Sequence, residues 1–166
     1  IYALDANTGR GKWNMKQPRG WIIAKPVAHE DNIYFGTSDA HIFYSMNKKS
    51  GEVNWTIPVN MRVYGSAIVH GDQLYFGTFD GKVLGVDLAD GETRWHYQTD
   101  ASRQNYQTVY VDDGEFKEDF VLYGADYETS ENAIHSLGSV LSSPVIDVGV
   151  IYFGCSEGHL YAVDLQ

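Results

Sequence analysis

The chain has 166 residues, of which 43% are hydrophobic and 20% charged, a composition typical of a globular domain and not of a disordered segment. Its formal net charge of −10 disfavours nucleic acid as a partner, because an acidic protein repels phosphate groups. No apolar run approaches the roughly 18 residues that span a bilayer, so we expect no direct membrane insertion, and the single cysteine, Cys155, excludes an internal disulfide.

A repeat of about forty residues begins at the first residue of the chain. In each copy a short apolar strand ends at Asp or Asn, a glycine follows four residues later and a tryptophan eight residues later. The copies are Asp5, Gly9 and Trp13; Asn47, Gly51 and Trp55; and Asp87, Gly91 and Trp95. Asp and Asn side chains bond to nearby backbone amides and glycine tolerates positive φ, so each copy predicts a tight turn before a tryptophan-bearing strand.

A second motif precedes the turns at Asn47 and Asp87 and also the last residues of the sequence. Segments 26–36, 67–77 and 144–154 align without a gap, and each ends in Tyr-Phe-Gly at Gly36, Gly77 or Gly154. The two motifs together predict four short strands in each repeat. No stretch has sustained helical periodicity with capping residues, so no helix is predicted.

A four-stranded antiparallel unit cannot cover both of its faces, so neighbouring units must pack against it. Strand twist favours radial packing, and we predict an all-β fold, a β-propeller of about three to four blades. Trp13, Trp55 and Trp95 are predicted to fill the wedges between blades rather than to bind a ligand. We expect the chain to be part of a larger propeller; the alternative is that its two ends together complete one blade.

The predicted divisions are a partial blade at 1–25, blades at 26–65 and 66–99, an interruption at 100–138, and a partial blade at 139–166. The interruption is seen because Pro144 lies 49 positions after Trp95, where the two earlier intervals, Trp13 to Pro26 and Trp55 to Ala67, are 13 and 12 positions. It is acidic, with nine acidic and two basic side chains between positions 100 and 131. It is either a degenerate blade without its tryptophan or an acidic loop insertion that contains a hairpin, and we favour the loop.

Over residues 1–99 and 139–166 these motifs resemble the pyrroloquinoline-quinone-type (PQQ-like) propeller repeat, as the patterns at 143–164 and 87–95 illustrate. The resemblance implies a β-propeller. This repeat occurs in quinoprotein alcohol dehydrogenases and, without a cofactor, in BamB-like scaffolds of bacteria. The resemblance therefore implies a non-catalytic scaffold that binds protein partners in the periplasm or outside the cell. Two alternatives stay open: a fragment of a PQQ- and calcium-dependent dehydrogenase, and an extracellular sensor or cell-surface domain.

The dehydrogenases of this family use a vicinal cysteine pair, a calcium ion held by Glu and Asn side chains, and a catalytic Asp. Cys155 has no neighbouring cysteine, and the other positions do not match residue by residue. We therefore assign no catalytic residue, no metal site and no cofactor, and we expect the chain not to be an enzyme. PQQ and calcium belong only to the dehydrogenase alternative.

Because successive strands alternate direction, the turns between second and third strands share a face with the loops between blades and with the insertion. Functional residues concentrate on loops held by a rigid scaffold, so this face is the candidate interaction face. The alternative is that its side chains are ordinary exposed turn residues. The candidates are His41, Lys82 and His159 in the turns and Trp21, Arg62 and Tyr64 in the loops between blades.

Overall fold

The computed structural model describes residues 1–112, 114–124 and 126–166. Sheet 1 pairs β1 (Tyr2–Leu4) with β2 (Gly11–Asn14). Sheet 2 contains β3 (Val27–His29), β4 (Asn32–Gly36), β5 (Ile42–Asn47) and β6 (Val53–Pro58). Sheet 3 contains β7 (Ile68–His70), β8 (Gln73–Gly77), β9 (Lys82–Asp87) and β10 (Thr93–Gln98).

The insertion follows sheet 3 and precedes the last sheet. It contains α1 (Asp100–Asn105), a 3-10 turn (Tyr106–Thr108), a hairpin of β11 (Tyr110–Asp112) and β12 (Glu115–Phe116), and α2 (Tyr127–His135). Sheet 4 contains β13 (Val145–Asp147), β14 (Val150–Gly154) and β15 (Leu160–Asp164). The predicted four-stranded antiparallel unit is therefore confirmed in sheets 2 and 3, where each strand pairs with the next along the chain.

The turn between the third and fourth strands forms as its sequence predicts. In sheet 2 the side-chain Oδ1 of Asn47 accepts hydrogen bonds from the backbone N–H groups of Lys49 and Ser50, at 2.9 and 3.0 Å. The N–H of Gly51 then donates to the Asn47 carbonyl at 2.9 Å, with Gly51 at a φ of 78°. That left-handed conformation favours glycine, which explains the fixed spacing before the tryptophan.

Trp13 and Trp55 each join their own sheet to the next one. The indole N–H of Trp13 donates to the carbonyl of Lys48 at 3.0 Å, and that of Trp55 donates to Leu88 at 3.1 Å. Both rings also lie against the turn glycine of the neighbouring sheet: a Cβ on Gly51 would stand 2.7 Å from Trp13, and one on Gly91 would stand 2.8 Å from Trp55. The structural role predicted for these tryptophans thus has a geometric basis: ring and glycine are complementary across the wedge between two sheets.

Apolar side chains fill the spaces between successive sheets. Between sheets 2 and 3 the rings of Phe43 and Phe76 stack with centroids 4.0 Å apart. Between sheets 3 and 4 a second cluster includes Tyr75, Ile151 and Phe153. Sheet 4 therefore packs directly on sheet 3, as sheet 3 packs on sheet 2, and the described residues of the insertion add no sheet between them.

The Tyr-Phe-Gly glycines are not equivalent. A Cβ on Gly36 would lie 2.3 Å from Val63, and one on Gly77 would lie 2.3 Å from Val140, so no larger residue fits at either place. The nearest such contact at Gly154 is 3.8 Å, an ordinary van der Waals distance.

The prediction that the chain has no helix is wrong. The two helices have six and nine residues, too short to produce a periodic apolar pattern. Each begins at a side chain that accepts a hydrogen bond from the first turn, Thr99 for α1 and Asp126 for α2. In the part of the chain that the structure describes, no helix is long and apolar enough to cross a membrane.

Candidate interaction face

The insertion covers the predicted face instead of leaving its turns exposed. Met61, from the loop between sheets 2 and 3, and Phe79, from a turn of sheet 3, pack against the insertion residues Tyr110, Ile134 and Leu137. All five side chains are buried. The candidate Tyr64 joins this cluster, with its ring edge-on to Phe79 at a centroid distance of 4.4 Å. The outer surface on this side of the propeller is therefore formed largely by the insertion itself.

Arg62 fastens α2 to the propeller. Its side chain is only 7% exposed, and its Nη1 lies 2.7 Å from a carboxylate oxygen of Glu131, while its Nε lies 3.5 Å from Asp39. Burial alone would lower the pKa of Arg62, but hydrogen bonds with Tyr123 and Glu131 raise it above its ordinary value. The guanidinium therefore stays charged. Arg62 was expected to join the contact surface, and the structure instead places it beneath that surface.

Tyr123 closes the same network from above. Its hydroxyl hydrogen-bonds to the carboxylate of Asp39, and its ring centroid is 5.4 Å from the guanidinium carbon of Arg62. Burial and the hydrogen bond to Asp39 raise the pKa of Tyr123, so the phenol is neutral and acts as the donor. Tyr123 and Asp39 are 84 positions apart in the chain, and their contact joins the insertion to the turn of sheet 2.

His41 lies at the base of this network. Its φ is 52°, and among the described residues its Nε2 is buried without a hydrogen-bond partner. Burial lowers the pKa of His41, and the nearby charge of Arg62 lowers it further, so the ring is held neutral. His41 is thus half-buried structure and not an exposed contact.

Lys82 is also engaged within the molecule. Its Nζ lies 3.5 Å from the buried carboxylate of Asp80 and 3.2 Å from the hydroxyl of Tyr106. Burial raises the pKa of Asp80, while the charge of Lys82 and a hydrogen bond from Thr78 oppose that rise. A polar cleft of about 810 Å³ opens beside this group, between β10 and α1.

The structure does not bring His159 together with His41. His159 is exposed on sheet 4, with its Nδ1 4.0 Å from Glu157, whereas His41 is on sheet 2. The half-buried thiol of Cys155 lies 3.9 Å from the same Glu157 carboxylate. Within residues 1–112, 114–124 and 126–166, no three His, Cys, Asp or Glu side chains are grouped so that they could hold a metal ion.

The exposed part of the face is an aromatic patch, defined here as Trp21, Val121, Tyr123 and Tyr127. The three rings are 73%, 60% and 65% exposed in that order, and Val121 is 56% exposed. The backbone of Trp21 pairs with Ser38, the neighbour of Asp39, at 2.7 and 2.9 Å. Trp21 and Tyr123 are thus held against one turn. Sequence reasoning predicted Trp21 but missed the insertion residues, whose only signal was aromatic side chains within an acidic loop.

The successive antiparallel sheets, joined by tryptophans at a fixed place, define a β-propeller of PQQ-type repeats. The chain belongs to the family described as outer membrane protein assembly factor BamB, whose model matches residues 1–166. No curated protein matches the chain.

Solved structures share this fold. BamB from Moraxella catarrhalis is similar over 95% of this chain and 54% of its own, with a TM-score of 0.54 and 15% identity. A europium-containing methanol dehydrogenase is similar over 93% of this chain and 31% of its own, with a TM-score of 0.62 and 16% identity. The quinohemoprotein alcohol dehydrogenase of Comamonas testosteroni is similar over 89% of this chain and 20% of its own, with a TM-score of 0.56 and 17% identity. The chain spans about half the length of the BamB structure.

The residues of this chain do not fit a quinone and calcium site of the dehydrogenase kind. A vicinal cysteine pair needs two cysteines, and Cys155 is the only one in the chain. The described carboxylates are also not grouped to hold a cation: Asp39 and Glu131 are neutralised by Arg62, and Asp80 by Lys82.

Proposed function

We propose that this chain is a non-catalytic, protein-binding propeller module that works as a scaffold. The observation that carries the proposal is the aromatic patch. Soluble proteins rarely expose large aromatic side chains side by side, and tryptophan and tyrosine supply a large share of the energy at protein interfaces. Two of the exposed rings, Trp21 and Tyr123, are held at one turn, and the third, Tyr127, begins the helix that Arg62 binds through Glu131. Exposed rings held in this way are expected at a binding site and are costly on an unbound surface.

The support beneath the patch favours the same function. Tyr123 is held by Asp39, and Arg62 and Glu131 hold the helix that begins at Tyr127. Binding costs less when the contact side chains are already ordered, so a buried ion network below exposed rings is a suitable base for a docking surface. The same network offers no nucleophile and base pair for chemistry.

We further propose that the module works in an extracytoplasmic compartment, on the basis of the outer-membrane role in the family's description. The competing hypothesis, a segment of a quinoprotein oxidoreductase, has the dehydrogenase fold in its favour and the donor set of this chain against it. A sensor or cell-surface domain would use the same patch and would differ in what is joined to the propeller.

Site-specific photocrosslinking tests the proposal. A photoreactive amino acid placed at Tyr127 in the cells that make the protein should give discrete crosslinked proteins. The matched control is the same group at Val148, which is 92% exposed on a turn of sheet 4. A product specific to Tyr127 that disappears in Trp21→Ser supports the proposal. Identical products from both positions, or none from Tyr127, would refute it.

A further inference from the structure

We propose that the aromatic patch binds a polypeptide segment that carries lysine or arginine beside an apolar side chain. This inference rests on the proposed function and specifies the chemistry of the partner. It begins from the distribution of basic residues. The last 49 residues, 118–166, contain eight acidic side chains and no lysine or arginine. Any lysine or arginine that neutralises them comes from earlier in the chain or from another molecule.

The earlier part of the chain neutralises only one carboxylate of the insertion beyond position 117. Arg62 reaches Glu131, which is half-buried beneath the patch. The remaining carboxylates of this part of the insertion are exposed, and none forms an ion pair with a described residue; they are Glu118, Asp119, Asp126 and Glu128. The only basic residue near them in the sequence is Lys117.

Three of these carboxylates, Asp119, Asp126 and Glu128, lie within two residues of a member of the aromatic patch. Val121 lies two residues beyond Asp119, and its carbonyl accepts a hydrogen bond of 2.6 Å from the Ser130 hydroxyl in α2. Asp126 and Glu128 flank Tyr127 at the start of that helix. A side chain placed on Tyr127 would therefore lie within about one Debye length, roughly 8 Å at physiological salt, of several negative charges.

Rings beside unpaired carboxylates select a particular partner. The face of a tryptophan or tyrosine ring attracts a cation, and a nearby carboxylate attracts the same cation, so lysine or arginine satisfies both. The aliphatic stem of either side chain can also cover apolar surface, and Val121 supplies a place for a neighbouring apolar residue. Phosphate-rich nucleic acid and anionic lipid surfaces meet repulsion at the same place.

The test uses the whole chain and three short fluorescein-labelled peptides of one length. The first carries lysine and leucine among glycine and serine, the second replaces lysine with glutamate, and the third replaces leucine with serine. Anisotropy measures the Kd of each peptide at about 50 mM and about 300 mM salt. We expect the lysine–leucine peptide to bind most tightly, to weaken severalfold at the higher salt, and the glutamate peptide not to bind.

Two variants and a control locate the binding. Trp21→Ser should raise the Kd of the lysine–leucine peptide about tenfold, since a central aromatic contact is lost. Glu128→Lys should raise it about three- to tenfold, because an exposed attraction becomes a repulsion. Val148→Ser, on sheet 4, should leave it unchanged.

The inference is overturned if the lysine–leucine peptide does not bind, if Glu128→Lys leaves its Kd unchanged, or if vesicles of anionic lipid bind the protein and lose binding in Trp21→Ser. Binding of the glutamate peptide that is lost in Trp21→Ser would overturn the basic partner and leave the docking surface intact. The crosslinking at Tyr127 tests the docking surface independently of the peptides. A failure of the proposed function can therefore be distinguished from a failure of the inference about a basic partner.

Discussion

The contact between a tryptophan of one sheet and a turn glycine of the next predicts a specific effect of Gly91→Ala. Gly91 has a φ of 77°, and a Cβ there would stand 2.8 Å from the indole of Trp55 and 3.0 Å from Ile57. The left-handed backbone costs about 1–2 kcal/mol for a residue other than glycine. Moving the indole also weakens its 3.1 Å hydrogen bond to Leu88, worth about 1 kcal/mol, and loosens its packing.

We therefore expect Gly91→Ala to lower the free energy of unfolding by about 3–4 kcal/mol. Gly71→Ala is the matched control, because Gly71 has a φ of 60° in a turn of the same sheet, yet a Cβ there would meet nothing within 4 Å. It should cost only the backbone term, about 1–2 kcal/mol. Urea unfolding followed by tryptophan fluorescence measures both, and the difference of about 2 kcal/mol should separate the midpoints by about 1 M.

A double variant separates the effect of the tryptophan–glycine contact from that of the backbone conformation. In a Trp55→Ala background the ring is absent, so adding Gly91→Ala should cost no more than Gly71→Ala does in the unaltered protein. If Gly91→Ala and Gly71→Ala destabilise the protein equally, the tryptophan–glycine contact contributes nothing beyond backbone conformation, and the proposed reason for the repeat spacing is wrong.

Three further results are expected. Arg62→Met should speed amide hydrogen exchange in α2 and lower the free energy of unfolding by about 3 kcal/mol, because Glu131 and Asp39 lose their cation. Arg103→Met removes an exposed ion pair and should lower it by less than about 1 kcal/mol. Equal losses of stability in the two variants would contradict the role given to Arg62. Burial and the charge of Arg62 lower the pKa of His41, so its contribution to stability is complete above the unfolded value of about 6.5 and is lost as pH falls below it. His41→Gln should therefore flatten the pH dependence of the urea midpoint between about pH 7 and 5, and an unchanged slope would rule His41 out. Titration with PQQ and calcium should neither quench the four tryptophans saturably nor release heat, and saturable one-to-one binding would favour the oxidoreductase hypothesis.

The sheets could be predicted from the repeat, because each copy shows the same turn and strand residues at the same spacing. The spacing from Asn47 to Gly51 and Trp55 fixes a turn and the strand after it, and the Tyr-Phe-Gly segments fix the second strand. The insertion has no second copy in the chain with which to compare it. Its helices of six and nine residues are set by the caps Thr99 and Asp126 and by tertiary packing, which leaves no periodic signal.

The candidate face was predictable in place but not in detail. The sequence alone suggests that Arg62 is a solvated cation, because its partner Glu131 is 69 positions away. The burial of Arg62 depends on where the insertion folds back. Lys82 is engaged by Asp80 and by Tyr106 of the insertion for the same reason. The exposed rings of Tyr123 and Tyr127 depend on that fold as well, whereas Trp21 lies in a regular loop between blades, so the repeat alone places it on this side of the propeller.

The repeat also explains why the propeller tolerates the insertion. Between sheets 2 and 3, Val59 donates a backbone hydrogen bond to His41 and Val63 donates one to Thr37, at 2.9 and 3.0 Å. After sheet 3 the equivalent bonds are made by Thr99 to Gly81, at 2.8 Å, and by Val140 to Thr78, at 3.1 Å.

The same anchors thus recur, but the first two donors are four positions apart in the chain and the second two are forty-one positions apart. The hydroxyl of Thr99 further donates to the carbonyl of Leu137 at 3.0 Å, which ties the start of the insertion to its end. A segment closed at its base adds little strain to the sheets that flank it, and loop-closure entropy grows slowly with length. The propeller therefore supplies a rigid base, and the insertion carries the exposed rings of Tyr123 and Tyr127 above it.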